Sequence, residues 1–475
     1  MIAVVLYLLV IVIISLWVGR DKSSSSDFFN GGRKSPWYLV ALGMVSASVS
    51  GISVVSVPGM VGGAAFTYMQ MVFGFILGYV VVAYLLLPMY YRLNLTSIYG
   101  YLEQRFGPVT HRVGGLFFIV YKMVAAASKL YLVLIVLQFL ILDSLNIPFA
   151  CSAVVFVLFI FAYTCRTGIR TLVWTDAFQT VCMVSSLVII MGCVLSELDA
   201  SVLDSLSTMW KRPESKIFIF DDFYSRQNFF KQFFSGMFIV VVMTGLDQDV
   251  MQKNLSCPNL KLARRNMLSY GVCFVPVNFI LLSLGVLLLM LAQQQGLCLP
   301  ERGDQILPFF AMNYFGGAVA VLFLVALLSA AMSSADSALV SLTTSFAVDI
   351  LSLSAEKLTL RRRLGLHFCI CVVFLLVVCL FRLINSQNAL DAIYTIVSYL
   401  NGPLLGLFAF GLFTRYKVRE AGVPFVCLAS PVLCYIISAL AATRYNYFFG
   451  YELLLLNGML TFFGLWGVRV KKANP

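Results

Sequence analysis

Long apolar runs separated by short polar loops make up most of this sequence. Several runs are about 20 residues or longer with few charges, which is the length an α-helix needs to cross a bilayer. The pattern predicts an all-α polytopic membrane protein with about thirteen transmembrane helices. The predicted spans lie near residues 2–19, 36–62, 67–91, 113–141, 148–165, 171–195, 231–251, 267–293, 318–350, 364–382, 389–413, 422–441 and 447–468.

Composition and charge agree with a membrane protein and predict its orientation. Of 475 residues, 61% are hydrophobic and 11% charged, whereas soluble domains are near half apolar and about a quarter charged. Basic residues such as Arg264, Arg265 and those at 361–363 are concentrated in alternate loops and the C-terminal tail. The positive-inside rule then predicts an external N-terminus and a cytoplasmic C-terminus in a plasma or inner membrane. These loops explain the net charge of +12, so no nucleic-acid partner is expected.

Two predicted spans contain residues that disrupt a helix in the middle of the membrane. The second span has five serines, two glycines and a proline within residues 45–59, and the seventh is interrupted at 243–248. Unwound backbone at this depth is tolerated where it is buried or lines a cavity, and its carbonyls can then coordinate a cation. Because the two spans are five apart, they predict two inverted repeats of five helices each.

These interruptions suggest how the chain is organised. We expect a single membrane transporter domain over residues 1–475, in which two repeats are joined by an external loop. The expected parts are an extra N-terminal helix and loop (1–35), the first repeat (36–195), the external loop (196–230), the second repeat (231–413) and two C-terminal helices with a tail (414–475).

The ninth predicted span carries an unusual group of polar residues. Ser333, Asp336 and Ser337 are spaced to share one helical face, and Ser334 lies beside them. Such groups are costly at this depth unless they face protein, water or an ion, and their oxygens suit a hard cation. They predict a sodium site. The alternative for each serine is a hydrogen bond to a carbonyl of its own helix.

Charged residues in two other spans are further candidates. Asp176 is either a functional acid of the sixth span or a cap at its start, with Gln179 completing a capping box. Lys122 and Lys129 share a face of the fourth span, and Lys122 is close enough to the cytoplasmic end to snorkel. Lys129 is expected either to pair with a buried acid or to attract an anionic substrate. Weaker candidates for a cavity are Gln70, Tyr394, Ser398, Tyr399 and Asn401.

Seven segments, in this order along nearly the whole chain, resemble the sodium:solute symporter family. That family includes bacterial proline and sialic acid symporters and animal sodium–glucose, monocarboxylate and iodide symporters. The resemblance implies a leucine-transporter-like fold with two inverted five-helix repeats and alternating access. The segments are residues 26–33, 45–59, 101–107, 174–176, 245–252, 332–337 and 401–406.

The resemblance also implies where sodium binds. The shared sodium site would consist of backbone carbonyls of the second and ninth spans and two hydroxyls of the ninth. A second sodium, present in some members, would lie near the acid of the sixth span. The first set is Ser46, Val49, Ala330, Ser333 and Ser334, and the second is Asp176, Asp336 and Ser337 with Ser333.

The substrate positions are less clearly matched. Val72, Val240 and Met243 stand at three positions where sugar-carrying members have polar residues, so the sugar pattern is missing. The sialic acid symporters bind a carboxylate with hydroxyls of the broken helix, which this chain also offers. We therefore expect sodium-coupled symport of a small organic anion such as a monocarboxylate or sialic acid. The candidate substrate residues are Ser48, Ser50, Ser53, Gln70, Lys129 and Met243.

Other classes of function remain as alternatives at this stage. The chain could carry a sugar or amino acid, or it could be proton-coupled through Asp176 and Asp336. A sensor is disfavoured, because it should carry a signalling domain after the last span, where only about seven residues follow. An ATP-driven pump is disfavoured, because the sequence contains no Walker phosphate loop. No HExxH, GxSxG or CxxC motif is present, so we expect no enzyme activity and no cofactor. The expected partners are sodium, a small solute and the bilayer, with no obligatory protein partner.

Overall fold

Helices account for nearly all regular structure in this chain. The structure is a computed structural model that describes residues 2–19, 25–138, 142–143, 146–165, 168–222, 225–353, 358–384, 399–447, 449–450 and 452–470. Within these residues the strands are Lys417–Val418 and Arg469–Val470, which pair antiparallel. The prediction of an all-α protein is therefore confirmed apart from this short ribbon.

The described helices agree closely with the predicted spans. Seven are long and apolar enough to cross a membrane, or up to nine if each bent pair is counted as one span. The seven are Val61–Arg92, Pro108–Leu137, Ile169–Ser196, Leu260–Gln295, Gly317–Ile350, Leu360–Leu383 and Glu420–Tyr445. Four shorter apolar helices are Val4–Val18, Phe149–Thr164, Asn401–Phe413 and Leu453–Gly467. Smaller helices are Ser25–Asn30, Gly100–Arg105, Val202–Lys211 and Ile306–Phe309.

Both predicted interruptions are sharp bends between two half-helices. The first broken helix consists of Trp37–Ser48 and Gly51–Gly59, which meet at 64°. Val49 is extended there (φ −77°, ψ 96°), and the Ser50 hydroxyl accepts the Ser53 N–H to start the second half. The serine-rich sequence therefore both ends one half-helix and caps the next.

The second broken helix consists of Phe229–Gly245 and Gln248–Asn254, which meet at 71°. A π-turn, Val241–Gly245, precedes the bend, as is common at functional positions in helices. The Asp247 side chain accepts the Asp249 N–H at 2.8 Å and caps the second half. The predicted interruptions of the second and seventh spans are therefore both confirmed.

The helix Gly317–Ile350 is the central helix of the fold. In its most apolar window 78% of the residues are buried within the protein, against 17% for Glu420–Tyr445. Apolar residues of the outer helix, such as Phe425 and Leu428, remain exposed, as expected for side chains that face lipid. The predicted ninth span therefore presents its polar residues to other helices and not to the bilayer.

The loop predicted to be external forms an ordered cap. Its helix Val202–Lys211 places Trp210 against Phe279, with ring centroids 5.7 Å apart. Gln70 is fully buried beneath the cap, donates to the Gln227 carbonyl at 2.8 Å and accepts the Ile219 N–H. Gln70 therefore fastens this loop to the helices.

Candidate functional site

A cavity of about 830 Å³ lies between the two broken helices and reaches the central helix. Both bends contribute to its wall, as does the helix Pro108–Leu137, which supplies two lysines. Aromatic and aliphatic side chains such as Phe75, Ile239 and Phe274 form much of the remaining lining. Lining residues from these parts include Ala47, Ser48, Lys122, Lys129, Met243, Thr244, Asp247, Asp249, Tyr270, Phe274 and Ser334.

The first bend meets the serines of the central helix. The Ser334 hydroxyl donates to the Ala47 carbonyl at 3.3 Å, and the hydroxyls of Ser46 and Ser333 are 2.8 Å apart. The last four carbonyls of a helix have no partner within it, so this half-helix end offers acceptors for a cation. Three of the five predicted sodium-binding residues are thus brought together by their side chains.

The remaining two residues of the predicted sodium site lie on the same two elements, the first bend and the central helix. Val49 stands at the bend, and Ala330 lies one helical turn before Ser334; both are buried. Coordination by the carbonyls of Ser46, Val49 and Ala330 stays a prediction. A hydrogen bond from a serine to a carbonyl of its own helix, the alternative to an ion site, is found at Ser341, whose hydroxyl donates to Ala338.

Asp176 is the centre of a second buried cluster. The Ser333 hydroxyl donates to its Oδ1 at 2.7 Å and the Ser337 hydroxyl to its Oδ2 at 3.4 Å. The Lys253 ammonium lies 2.7 Å from the same Oδ2, and both charged side chains are almost completely buried. The helix that carries Asp176 begins at Ile169, so the interpretation of Asp176 as an N-terminal cap is wrong.

Asp336 lies beside this cluster but has different partners. Its Oδ2 accepts the Tyr163 hydroxyl at 2.6 Å, and its Oδ1 accepts the Ser337 N–H at 2.6 Å. The serines of the central helix therefore have different partners. Ser334 contacts Ala47 at the first bend, Ser333 contacts both Ser46 and Asp176, and Ser337 contacts the two acids.

The second bend is held by charges. The Lys122 ammonium lies 2.9 Å from Asp247 Oδ2 and 2.7 Å from Asp249 Oδ2, and the Tyr121 hydroxyl also donates to Asp247. The expectation that Lys122 snorkels to the membrane surface is therefore wrong. Its ammonium pairs with the two acids of the second broken helix and does not extend to the membrane surface.

Lys129 differs from its neighbour on the same helix face. It lines the cavity, and no carboxylate of the described residues lies within ion-pairing distance of its ammonium. A partly buried ammonium that is not directly paired with a carboxylate attracts an anion that enters the cavity. Of the two roles predicted for Lys129, the pairing with a buried acid is not found among these residues.

The other predicted substrate residues divide into two groups. Ser48 lines the cavity with its hydroxyl 2.5 Å from that of Tyr270, and Met243 lines it with 46% of its surface exposed. Ser50 and Ser53 bond to each other at the start of the second half-helix and are not part of the cavity lining. Gln70 is also outside it. Tyr399 and Asn401 line the cavity, whereas Tyr394 and Ser398 fall outside the described residues.

Sequence reasoning missed Lys253 as a member of the site. Lys253 follows the segment 245–252 and lies just beyond the predicted end of the seventh span, so it resembled an ordinary loop residue. The structure extends that span to Asn254 and buries the lysine. The continuation of the motif into a basic residue was the signal that could have found it.

Two broken helices around a central cavity, with buried oxygen ligands at one bend, define a multi-pass membrane transporter. The chain belongs to the sodium:solute symporter family, whose sequence model matches residues 28–423. Membership identifies it as a sodium-coupled solute transporter and agrees with its not being an enzyme.

Individual relatives are distant but extensive matches. The sodium/sialic acid symporter NanT of Aliivibrio fischeri is 25% identical over 483 residues, covering 97% of this chain and 92% of NanT. The human sodium/iodide cotransporter is 28% identical over 426 residues, 86% of this chain and 64% of that protein. The bovine sodium-coupled monocarboxylate transporter 2 is 26% identical over 434 residues, 85% of this chain and 66% of that protein.

Two solved structures share the fold. One is a Na⁺-coupled sialic acid symporter in a substrate-bound, outward-open state, with a TM-score of 0.82 at 21% identity, covering 98% of this chain and 96% of the other. The other is Mhp1, a nucleobase-cation-symport-1 family transporter in a closed conformation with bromovinylhydantoin bound. Its TM-score is 0.54 at 14% identity, with 92% of each chain covered.

Proposed function

We propose that this protein carries a small organic anion together with sodium by alternating access. The observation that carries the anion is Lys129, an ammonium at the cavity wall without a carboxylate partner among the described residues. An anionic substrate can pair directly with this ammonium, whereas a neutral sugar cannot. The names of the iodide and monocarboxylate relatives agree with an anionic solute.

A monocarboxylate fits this cavity better than sialic acid. Apolar side chains such as Phe75, Ile239, Val240 and Phe274 form much of its lining and suit a substrate with an apolar body. Sialic acid carries many hydroxyl groups, which need polar partners once they are removed from water. Sialic acid nevertheless stays a candidate because of the similarity to NanT.

The proposed sodium site links the first broken helix to the central helix. Carbonyls of the bend and of Ala330 would complete the ligand set with the hydroxyls of Ser333 and Ser334. Sodium bound there favours the conformation in which both helices contribute ligands, and that conformation also presents Ser48 and the cavity to substrate. Coupling follows because both ligands favour the same state.

The finer architecture is part of this proposal. The four shorter apolar helices, added to up to nine spans, support thirteen transmembrane helices. Bends in two spans that are five apart support inverted five-helix repeats over 36–195 and 231–413 in a leucine-transporter-like fold. The distribution of basic residues supports an external N-terminus and a cytoplasmic C-terminus.

Uptake into proteoliposomes tests this proposal. Radiolabelled short-chain monocarboxylates, sialic acid, glucose and proline would be offered under an inward sodium gradient, with the pH equal on both sides and clamped. We expect sodium-dependent uptake of a monocarboxylate that exceeds uptake of the neutral solutes. Uptake that follows a proton gradient and ignores sodium would refute sodium coupling. Preference for glucose or proline would refute the anionic substrate.

A further inference from the structure

A buried lysine occupies the neighbourhood of the predicted second sodium. The Lys253 ammonium lies 2.7 Å from Asp176 Oδ2, and the side chains of both residues are at most 2% exposed. Ser333 and Ser337, the hydroxyls expected to bind a second sodium, both donate to the same carboxylate. We propose that Lys253 acts as a tethered cation in place of that sodium, so that this protein binds one sodium ion.

The ammonium uses the groups that a second sodium would need. A sodium ion at Asp176 requires carboxylate oxygens and hydroxyl lone pairs directed at one point. Lys253 already contacts Oδ2, the Ser333 hydroxyl donates to Oδ1, and the Ser337 hydroxyl lies between Asp176 Oδ2 and Asp336 Oδ1, at 3.4 and 3.3 Å. A second positive charge a few ångströms from the ammonium is strongly repelled in a poorly polarisable interior.

The lysine is held in this position by its own half-helix. The neighbouring Gln252 side chain donates to the Phe29 carbonyl at 2.5 Å and to the Thr344 hydroxyl at 2.7 Å. At the other end of the half-helix, Asp247 and Asp249 are paired with Lys122. Lys253 therefore cannot leave Asp176 by a simple side-chain rotation into water, because it is buried and its helix is fixed at both ends.

The first sodium site remains open to the cavity. Ser334 lines the cavity and donates to the Ala47 carbonyl, and no ammonium contacts that serine in the described part of the chain. One site is thus supplied with a cation by the protein itself, and the other is left for an ion from solution. Ser333 joins the two, because its hydroxyl contacts both Ser46 and Asp176.

Removing the lysine should convert the cluster into a sodium site. Lys253→Met leaves Asp176 and Asp336 buried near each other without this cation, flanked by two hydroxyls. Sodium is then the available counter-charge. Lys253→Arg keeps the positive charge and is the matched control, and the double variant Lys253→Met/Asp176→Asn removes both partners.

Equilibrium binding of ²²Na⁺ to the purified full-length protein counts the ions without requiring a known substrate. We expect one sodium per protein for the wild type, Lys253→Arg and the double variant, and two for Lys253→Met. Two sodium ions on the wild type, or one on a folded Lys253→Met protein, would overturn the inference. A wild-type count of two overturns the inference even if Lys253→Met fails to fold, and Lys253→Arg with an unchanged count of one then supports it.

The inference rests on the proposed sodium-coupled transport, and the two can fail separately. A wild type that binds no sodium refutes the proposed function. A wild type that binds two ions and still couples uptake to sodium refutes only the role of Lys253.

Discussion

The two broken helices have similar bends but opposite chemistry. At the first bend, 64°, the groups that meet are backbone carbonyls and the hydroxyls of Ser46, Ser333 and Ser334. At the second, 71°, they are the charges of Asp247 and Asp249 with Lys122. The first bend carries no charged side chain, as the proposed reversible binding of sodium requires. The second already contains a cation, Lys122, which lies between its two carboxylates.

This difference suggests different roles during transport. Neutral oxygens bind sodium reversibly, because the ion can be replaced by water when the site opens. Buried ion pairs are costly to separate, since each charge left alone keeps its full desolvation penalty. We therefore expect the second bend to stay assembled through the cycle, while the contact of the first bend with the central helix depends on sodium.

Breaking the charged bend should have the largest effect. Lys122→Met leaves Asp247 and Asp249 buried without their cation, and we expect a loss of about 3–5 kcal/mol in stability. Thermal unfolding of the purified protein in detergent, followed by intrinsic fluorescence, measures it. Lys122→Arg is the control and should recover most of the loss. An unchanged unfolding temperature in Lys122→Met would show that the pair does not stabilise this bend.

The unpaired lysine on the same helix face should affect substrate and not stability. Lys129→Met removes a charge-assisted contact worth about 2 kcal/mol, so KM for an anionic substrate should rise roughly thirtyfold. The unfolding temperature should stay within a few degrees of the wild type. Lys129→Arg keeps the charge and should retain most of the affinity. A KM that does not change in Lys129→Met would contradict contact between this lysine and the substrate.

The neutral bend can be tested with two serines of one helix. Ser334→Ala removes a hydroxyl at the first bend, and the sodium concentration for half-maximal uptake should rise about tenfold, or ~1.4 kcal/mol. Ser341→Ala is the matched control, because this buried hydroxyl donates to the Ala338 carbonyl of its own helix. Equal sodium dependence of the two variants would count against the assigned sodium site.

The smallest effect is expected at the cap of the first bend. Ser50→Ala removes the side chain that accepts the Ser53 N–H, which costs about 1 kcal/mol for a typical N-cap. The unfolding temperature of Ser50→Ala should therefore lie much closer to that of the wild type than the unfolding temperature of Lys122→Met does. If the two variants were destabilised to a similar extent, the two bends would not differ in their contribution to stability as we expect.

Residues within one short segment were predicted well. The interruption of two spans follows from serine, glycine and proline patterns that act on the backbone locally, and both bends are present. The spacing of Ser333, Asp336 and Ser337 placed them on one face, and all three are buried against neighbouring helices. Ser50 and Ser53 were harder to place, because the bend resets the helix phase and Ser50 is used as a cap.

The sequence by itself determined which spans break, which helix carries the buried serines and carboxylate, and which family the chain resembles. These features depend on local backbone preference and on periodicity. Only the tertiary structure decided that Lys253 neutralises Asp176, that Lys122 belongs to the second bend and that Lys129 has no acidic partner in the described part of the chain. A charge chooses its partner by distance in space, and Lys253 and Asp176 are brought together by helices that are far apart along the chain.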